Sequence, residues 1–122
     1  MRVPILKQGN YLIASVQSSL SDEELLKLRD DLVAKVSQVR ARGVIIDVTV
    51  LDVMDSFATR ILKDIAQMIK LRGAPTVVVG VQPDVALAMV QLGLSLGHLE
   101  TALDLEEGLA LLDDFNQPNN EN

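Results

Sequence analysis

Two short stretches constrain the fold of this chain more than anything else in it: Val44-Ile45-Ile46-Asp47-Val48 and Thr76-Val77-Val78-Val79-Gly80-Val81. Both are rich in β-branched residues and apolar at successive positions, so a strand made from either needs cover on both faces, as central strands of a parallel sheet have. Between them Phe57, Ile61, Ile65, Met68 and Ile69 recur at helical spacing, with Arg60, Lys63, Asp64 and Lys70 on the other side, until Gly73 stops the run. Strand, helix and strand joined by short connections form a right-handed βαβ unit, which makes the two strands parallel.

The flanks extend this unit. Residues 3–6 and 11–16 are β-prone runs around Gln8-Gly9-Asn10, where Gly and Asn supply the positive φ of a tight turn, so a hairpin opens the chain. Ser21 and Glu24 stand three apart, the spacing at which each side chain satisfies a free N–H at a helix start. Leu25, Leu28, Leu32, Val36 and Val39 then lay one apolar stripe along a helix ending near Gly43. Pro83 opens a further helix to about Gln91, which Gly93 ends. Residues 99–102 read as a short edge strand, and Asp104 and Glu107 repeat the capping spacing before a last helix over 105–112. The polar stretch 116–122 has too few apolar groups to pack and is expected to be a disordered tail. The expected architecture is a single α/β domain over residues 1–115. Its mixed sheet has about four to five strands opened by an N-terminal hairpin, with about four α-helices.

Charge and composition remove several function classes. A formal net charge of −6 argues against a nucleic-acid partner, whose phosphates call for clustered Lys and Arg. With no cysteine there is neither a disulfide nor a thiolate metal site. Residues 1–7 lack the apolar stretch of a signal peptide, and no segment approaches the roughly 18 continuous apolar residues of a membrane span. The expectation is a soluble, cytoplasmic protein. Its 48% hydrophobic content with only 2% aromatic residues leaves an apolar surplus that other subunits could cover.

The usual parts of an enzyme are missing. His98 has no Cys, second His or evident acidic partner at ligand spacing, so neither a metal site nor a Ser/His/Asp triad is expected. The scattered glycines form no phosphate-cradling motif, and no cofactor is expected. The unusual stretch is residues 47–56, where Asp47, Asp52 and Asp55 gather with Ser56 between the first buried strand and the helix after it. The carboxyl end of a parallel strand is where reactive groups tend to be displayed. At a helix start Ser56 reaches solvent, and free N–H groups there can receive a phosphate.

Three readings of that stretch stand side by side. Asp-Ser before an apolar helical run is an ordinary cap, contributing about 0.5–2 kcal/mol; the carboxylates could hold Mg²⁺; or Ser56 is a phosphoacceptor. Thr59, one turn on, is the alternative acceptor, although inside a helix its hydroxyl is expected to bond back to the preceding turn. A receiver-like domain phosphorylated on Asp47 or Asp52 is a further reading.

At these residues the sequence resembles the STAS family, the fold of anti-sigma-factor antagonists, whose signature is an apolar strand, a loop carrying Asp-Ser or Asp-Thr, and a helix. Here that signature is Val44-Ile45-Ile46-Asp47 followed by Met54-Asp55-Ser56-Phe57-Ala58-Thr59-Arg60-Ile61-Leu62, and the likeness runs on through Gly73-Ala74-Pro75-Thr76 and Gln82-Pro83 to the Leu112 region. Simple antagonists usually place Gly one or two residues after the acceptor, where this chain has Phe57-Ala58. The resemblance is nearer to the stand-alone STAS scaffolds of the stressosome, with Ser at the acceptor position and the first strand almost at the start of the chain.

That resemblance implies a non-enzymatic switch. Such scaffolds co-assemble with RsbR-type STAS proteins into a large hetero-oligomer and hold an RsbT-type serine/threonine kinase. Phosphorylation of the serine, here Ser56, releases the kinase, and an RsbX-type phosphatase resets the state. Asp47, Asp52, Asp55, Phe57 and Arg60 are then the expected kinase contacts. The alternative within the family is a simple antagonist binding an anti-sigma kinase.

Overall fold

The computed structural model describes residues 3–94 and 99–117. His98 lies outside the described residues, as does 118–122 of the expected tail. The described residues form a five-stranded sheet with four helices in the order β1 (Ile5–Gln8), β2 (Tyr11–Ser15), α1 (Asp22–Val39), β3 (Gly43–Asp47), α2 (Ser56–Leu71), β4 (Thr76–Val79), α3 (Pro83–Gln91), β5 (Glu100–Ala102) and α4 (Leu105–Phe115).

Spatial order follows chain order, β1-β2-β3-β4-β5. β1 is antiparallel to β2, and β2, β3, β4 and β5 run parallel to one another. The sheet is therefore mixed, with the hairpin at one edge and the parallel pair β3 and β4 inside it. Alternation along the strands sorts side chains to two faces. Leu12, Val44, Ile46 and Val78 meet Leu28, Leu32 and Ile65 from α1 and α2, with Val85 and Met89 of α3 in the same cluster. Ile13, Ile45, Val77 and Val79 meet Leu112 of α4 on the other face. The continuous apolar runs of the sequence are thus covered on both sides.

Boundaries differ from the sequence reading in instructive places. β1 runs to Gln8 rather than ending at Leu6, because Gln8 pairs directly with Tyr11 and the turn needs only Gly9 and Asn10. Of these two, Gly9 alone takes positive φ, at 60°. α1 ends at Val39, and the left-handed cap position belongs to Arg40 (φ 53°), not to a glycine. Gly43 instead opens β3, where a Cβ would stand 2.8 Å from Leu112 Cδ2. That glycine, expected to stop a helix, lets α4 approach the sheet. On α2 the buried stripe is Thr59, Ile61, Leu62, Ile65 and Ile69, while Met68, assigned to it by spacing, is 37% exposed at its margin. The edge strand is Glu100–Ala102, and α4 runs three residues beyond its expected end, to Phe115.

Candidate functional site

The segment that joins β3 to α2 leaves the sheet at its carboxyl edge. Val48 still donates to Val79 O at 3.0 Å, and the chain then turns, with Leu51 N donating to Val48 O at 3.0 Å. Asp47, half-buried at the last position of β3, accepts from the backbone N–H of Thr49 at 2.9 Å and from its hydroxyl at 2.6 Å. The Thr49 carbonyl accepts from the Gln82 side-chain amide at 2.7 Å. Gly80, with φ +82°, lies directly against Thr49, and a Cβ there would collide with the threonine hydroxyl. The loop is therefore braced at its first turn by residues that follow β4.

At the other end Met54 is buried and anchors the loop to the core. Asp55 is the N-cap of α2, its carboxylate accepting from Ala58 N at 2.8 Å. Ser56 is the first helical residue, and its side chain is exposed. Thr59 N, bonded to Asp55 O, is the first backbone donor of the helical ladder, so the amides of Ser56 and Phe57 come before it, at the end of the helix that favours negative charge. Thr59 is 3% exposed and its hydroxyl donates to Asp55 O at 2.9 Å, the back-bond expected of a threonine one turn into a helix. The two hydroxyls therefore differ sharply: one is open to solvent, the other closed into its own helix.

The remaining site residues divide as follows. Asp52, Asp55 and Arg60 are exposed, Phe57 is half-buried against the main core, and Asp47 is tied to Thr49. The carboxylates do not converge as the sequence suggested. Asp47 and Asp55 are each drawn into a separate local turn, and no cluster of three His, Cys, Asp or Glu suited to a metal ion occurs among the described residues. Short-range capping wins over convergence because each carboxylate finds backbone donors within three residues of itself. Sequence reasoning missed the brace made by Thr49, Gly80 and Gln82. Gly80 immediately after an apolar strand is the one signal that could have raised it. Also missed was the exposure of Val50 and Val53 beside these acids. A cleft of about 90 Å³ opens next to Val53, between the loop and α1. It is smaller than the roughly 300–1,000 Å³ typical of small-molecule pockets. No helix of the described residues is long and apolar enough to cross a membrane.

Comparison with known proteins places these features in a family. The profile of the STAS domain matches residues 2–107. A structure of Moorella thermoacetica RsbS carrying a serine-to-glutamate substitution superposes with a TM-score of 0.80 at 34% identity, covering 94% of this chain and 97% of that one. A chain from the molecular architecture of the stressosome, described as a signal integration and transduction hub, gives a TM-score of 0.75 at 32% identity, with 93% and 99% covered. The RsbT co-antagonist protein RsbRA of Bacillus subtilis (strain 168) is 23% identical over 107 residues, or 88% of this chain, which spans only 38% of that protein's length. The unphosphorylated anti-sigma factor antagonist SpoIIAA shares the fold at 12% identity, with a TM-score of 0.68.

Proposed function

The chain belongs to the STAS domain family, and from that membership we propose that it is a non-enzymatic, phosphorylatable scaffold of the stressosome, of the RsbS type. It works in the cytoplasm, assembles with RsbR-type STAS proteins, holds an RsbT-type serine/threonine kinase, and releases it when Ser56 is phosphorylated. An RsbX-type phosphatase returns it to the holding state. The observation that carries this reading is the position of Ser56: an exposed hydroxyl at the first residue of α2, on a loop braced from both ends.

The kinase supplies ATP, Mg²⁺ and the residue that orients the hydroxyl; Ser56 supplies an accessible oxygen that becomes a phosphate ester. The modification adds about −1.5 to −2 charges. Within this molecule the helix start favours that charge by about 0.3–1 kcal/mol. A kinase carboxylate at roughly 6 Å, in an effective dielectric near 20, opposes each unit of charge by up to about 3 kcal/mol before screening. Repulsion across the contact therefore outweighs the local gain, and at 1.4 kcal/mol per tenfold it weakens binding about a hundredfold without refolding the domain. Asp52 and Asp55 already make that surface acidic, so the phosphate deepens an existing field.

The test is mass mapping of phosphate after incubation with the cognate kinase and ATP. Phosphate on Ser56 that survives hydroxylamine supports the reading. A hydroxylamine-labile acyl phosphate on Asp47 or Asp52 would replace it with receiver-like chemistry. Size-exclusion with an RsbR-type partner separates the scaffold from a simple antagonist, because only the scaffold enters a very large complex.

A further inference from the structure

Thr76 opens β4 and is 5% exposed, yet its hydroxyl is the one buried side-chain polar atom among the described residues without a hydrogen-bond partner. The strand continues as Val77, Val78 and Val79. Valine has the same shape and the same suitability for a strand, and it leaves no oxygen unpaired. The fold alone therefore does not account for the threonine.

Thr76 forms part of the wall of a cleft of about 400 Å³ that passes the amino ends of β4 and β5. Unlike the cleft beside Val53, it lies in the size range of small-molecule pockets. Side chains alternate along β4, so Thr76 shares the face of Val78, toward α2, where Ala66 and Lys70 line the same cleft. Glu100, the first residue of β5, pairs with Val77 and shares the other face, where Phe115 ends α4. Between the two sides runs the turn from α2 to β4, whose backbone donors are already engaged. Gly73 N donates to Lys70 O at 2.9 Å and Ala74 N to Ile69 O at 3.2 Å, while Pro75 has no N–H to offer.

The polar side chains that remain for a ligand are Lys70, Thr76 and Glu100; the rest of the lining is apolar. No ion pair among the described residues involves Lys70 or Glu100, so a cation and an anion stand in one cleft without neutralising each other. A simple carboxylic acid would pair with Lys70 but face Glu100, and a simple amine would do the reverse. A molecule that carries both charges meets both side chains.

We propose that this cleft binds a small zwitterion with an apolar body, and that free amino acids with aliphatic or aromatic side chains are its ligand class. The ligand carboxylate lies between Lys70 and Thr76, its ammonium faces Glu100, and its side chain packs against Leu99 and Phe115. The Thr76 hydroxyl gives up no bond when χ1 turns to another staggered position, and from there it donates to the carboxylate. At 1.5 Å per residue, Lys70 lies about 21 Å along α2 from Ser56, so the site is separate from the kinase surface and does not rest on the role proposed for that serine.

The test is titration of the full isotope-labelled chain with L-leucine, L-phenylalanine and L-methionine, followed by backbone amide shifts. Saturable shifts are expected around residues 70–76 and 99–100, with residues 47–58 unmoved. L-Aspartate, L-lysine, N-acetyl-leucine and leucinamide should each bind at least about tenfold more weakly than L-leucine, because each adds a charge or lacks one. Lys70→Met and Glu100→Gln, both at exposed positions, should each weaken binding about tenfold in chains that melt as the parent does. Thr76→Val should bind about tenfold more weakly and yet melt at a higher temperature, a combination that a purely structural threonine does not give. The proposal is overturned if none of the three apolar amino acids gives saturable shifts at these residues. It is equally overturned if N-acetyl-leucine binds as tightly as leucine, or if Thr76→Val keeps the parental affinity.

Discussion

The side-chain amide of Gln82 donates to the backbone carbonyl of Thr49 at 2.7 Å, so the residue just before α3 holds the loop that leads from β3 to Ser56. Gly80, against the same threonine, leaves free the space that a Cβ would take from it. On the proposed reading, the position in which Ser56 is offered to a kinase depends on this neighbouring strand connection, and so on residues that need never touch the partner.

Gly80→Ala is expected to destabilise the domain by about 1–3 kcal/mol, because it combines a left-handed backbone with a collision against Thr49. Gln82→Ala, which removes only the brace, should cost about 0.5–1.5 kcal/mol. Thermal unfolding measures both. A Gly80→Ala melting point equal to that of the parent would show that the loop moves aside freely.

Asp55→Ala should lower stability by about 0.5–2 kcal/mol through loss of the cap to Ala58, while Asp55→Asn retains an acceptor and most of that stability. If both variants bind the kinase differently from the parent, the carboxylate charge matters to the partner as well as to the helix. Denaturant titration paired with kinase binding separates the two contributions.

Ser56→Ala should leave melting and assembly unchanged while abolishing phosphate incorporation, leaving the kinase held. Thr59→Ala should do the reverse, losing about 1 kcal/mol with its buried hydrogen bond to Asp55 O and leaving phosphorylation intact. Normal phosphate stoichiometry in Ser56→Ala would move the acceptor elsewhere.

Burial, then the hydrogen bond to Asp113, raises the Tyr11 phenol above its ordinary value of 10. A raised value means the folded state favours the protonated phenol. Its contribution is therefore fully present below pH 10 and is lost as pH climbs through the folded-state value. Denaturant unfolding on either side of that window should show a decline that Tyr11→Phe flattens.

Much of the fold could be read from local pattern. The Ser21 and Glu24 capping box forms as their spacing requires, with Glu24 N donating to Ser21 Oγ at 3.1 Å and Ser21 N to Glu24 Oε1 at 2.9 Å. The unbroken apolar character of β3 and β4 likewise announced a doubly covered sheet. What stayed hidden depends on approach between distant segments. Gly43 looks like a helix stop until Leu112 is seen against it, and Gln82 looks like a linker residue until Thr49 is seen 33 positions away. The acids around Ser56 misled in the opposite sense. Proximity in sequence suggested a shared pocket, and their own backbone neighbours claimed two of them first.

The row of strands also bears on how the molecule comes into being. Because spatial order repeats chain order, every strand after the first docks on an edge completed by its predecessor, and no gap waits for a later segment to be threaded in. A polypeptide emerging from the ribosome at about 5–20 residues per second can extend its sheet one strand at a time. The momentary hazard at each stage is a freshly finished, uncovered border, which the next strand to emerge closes.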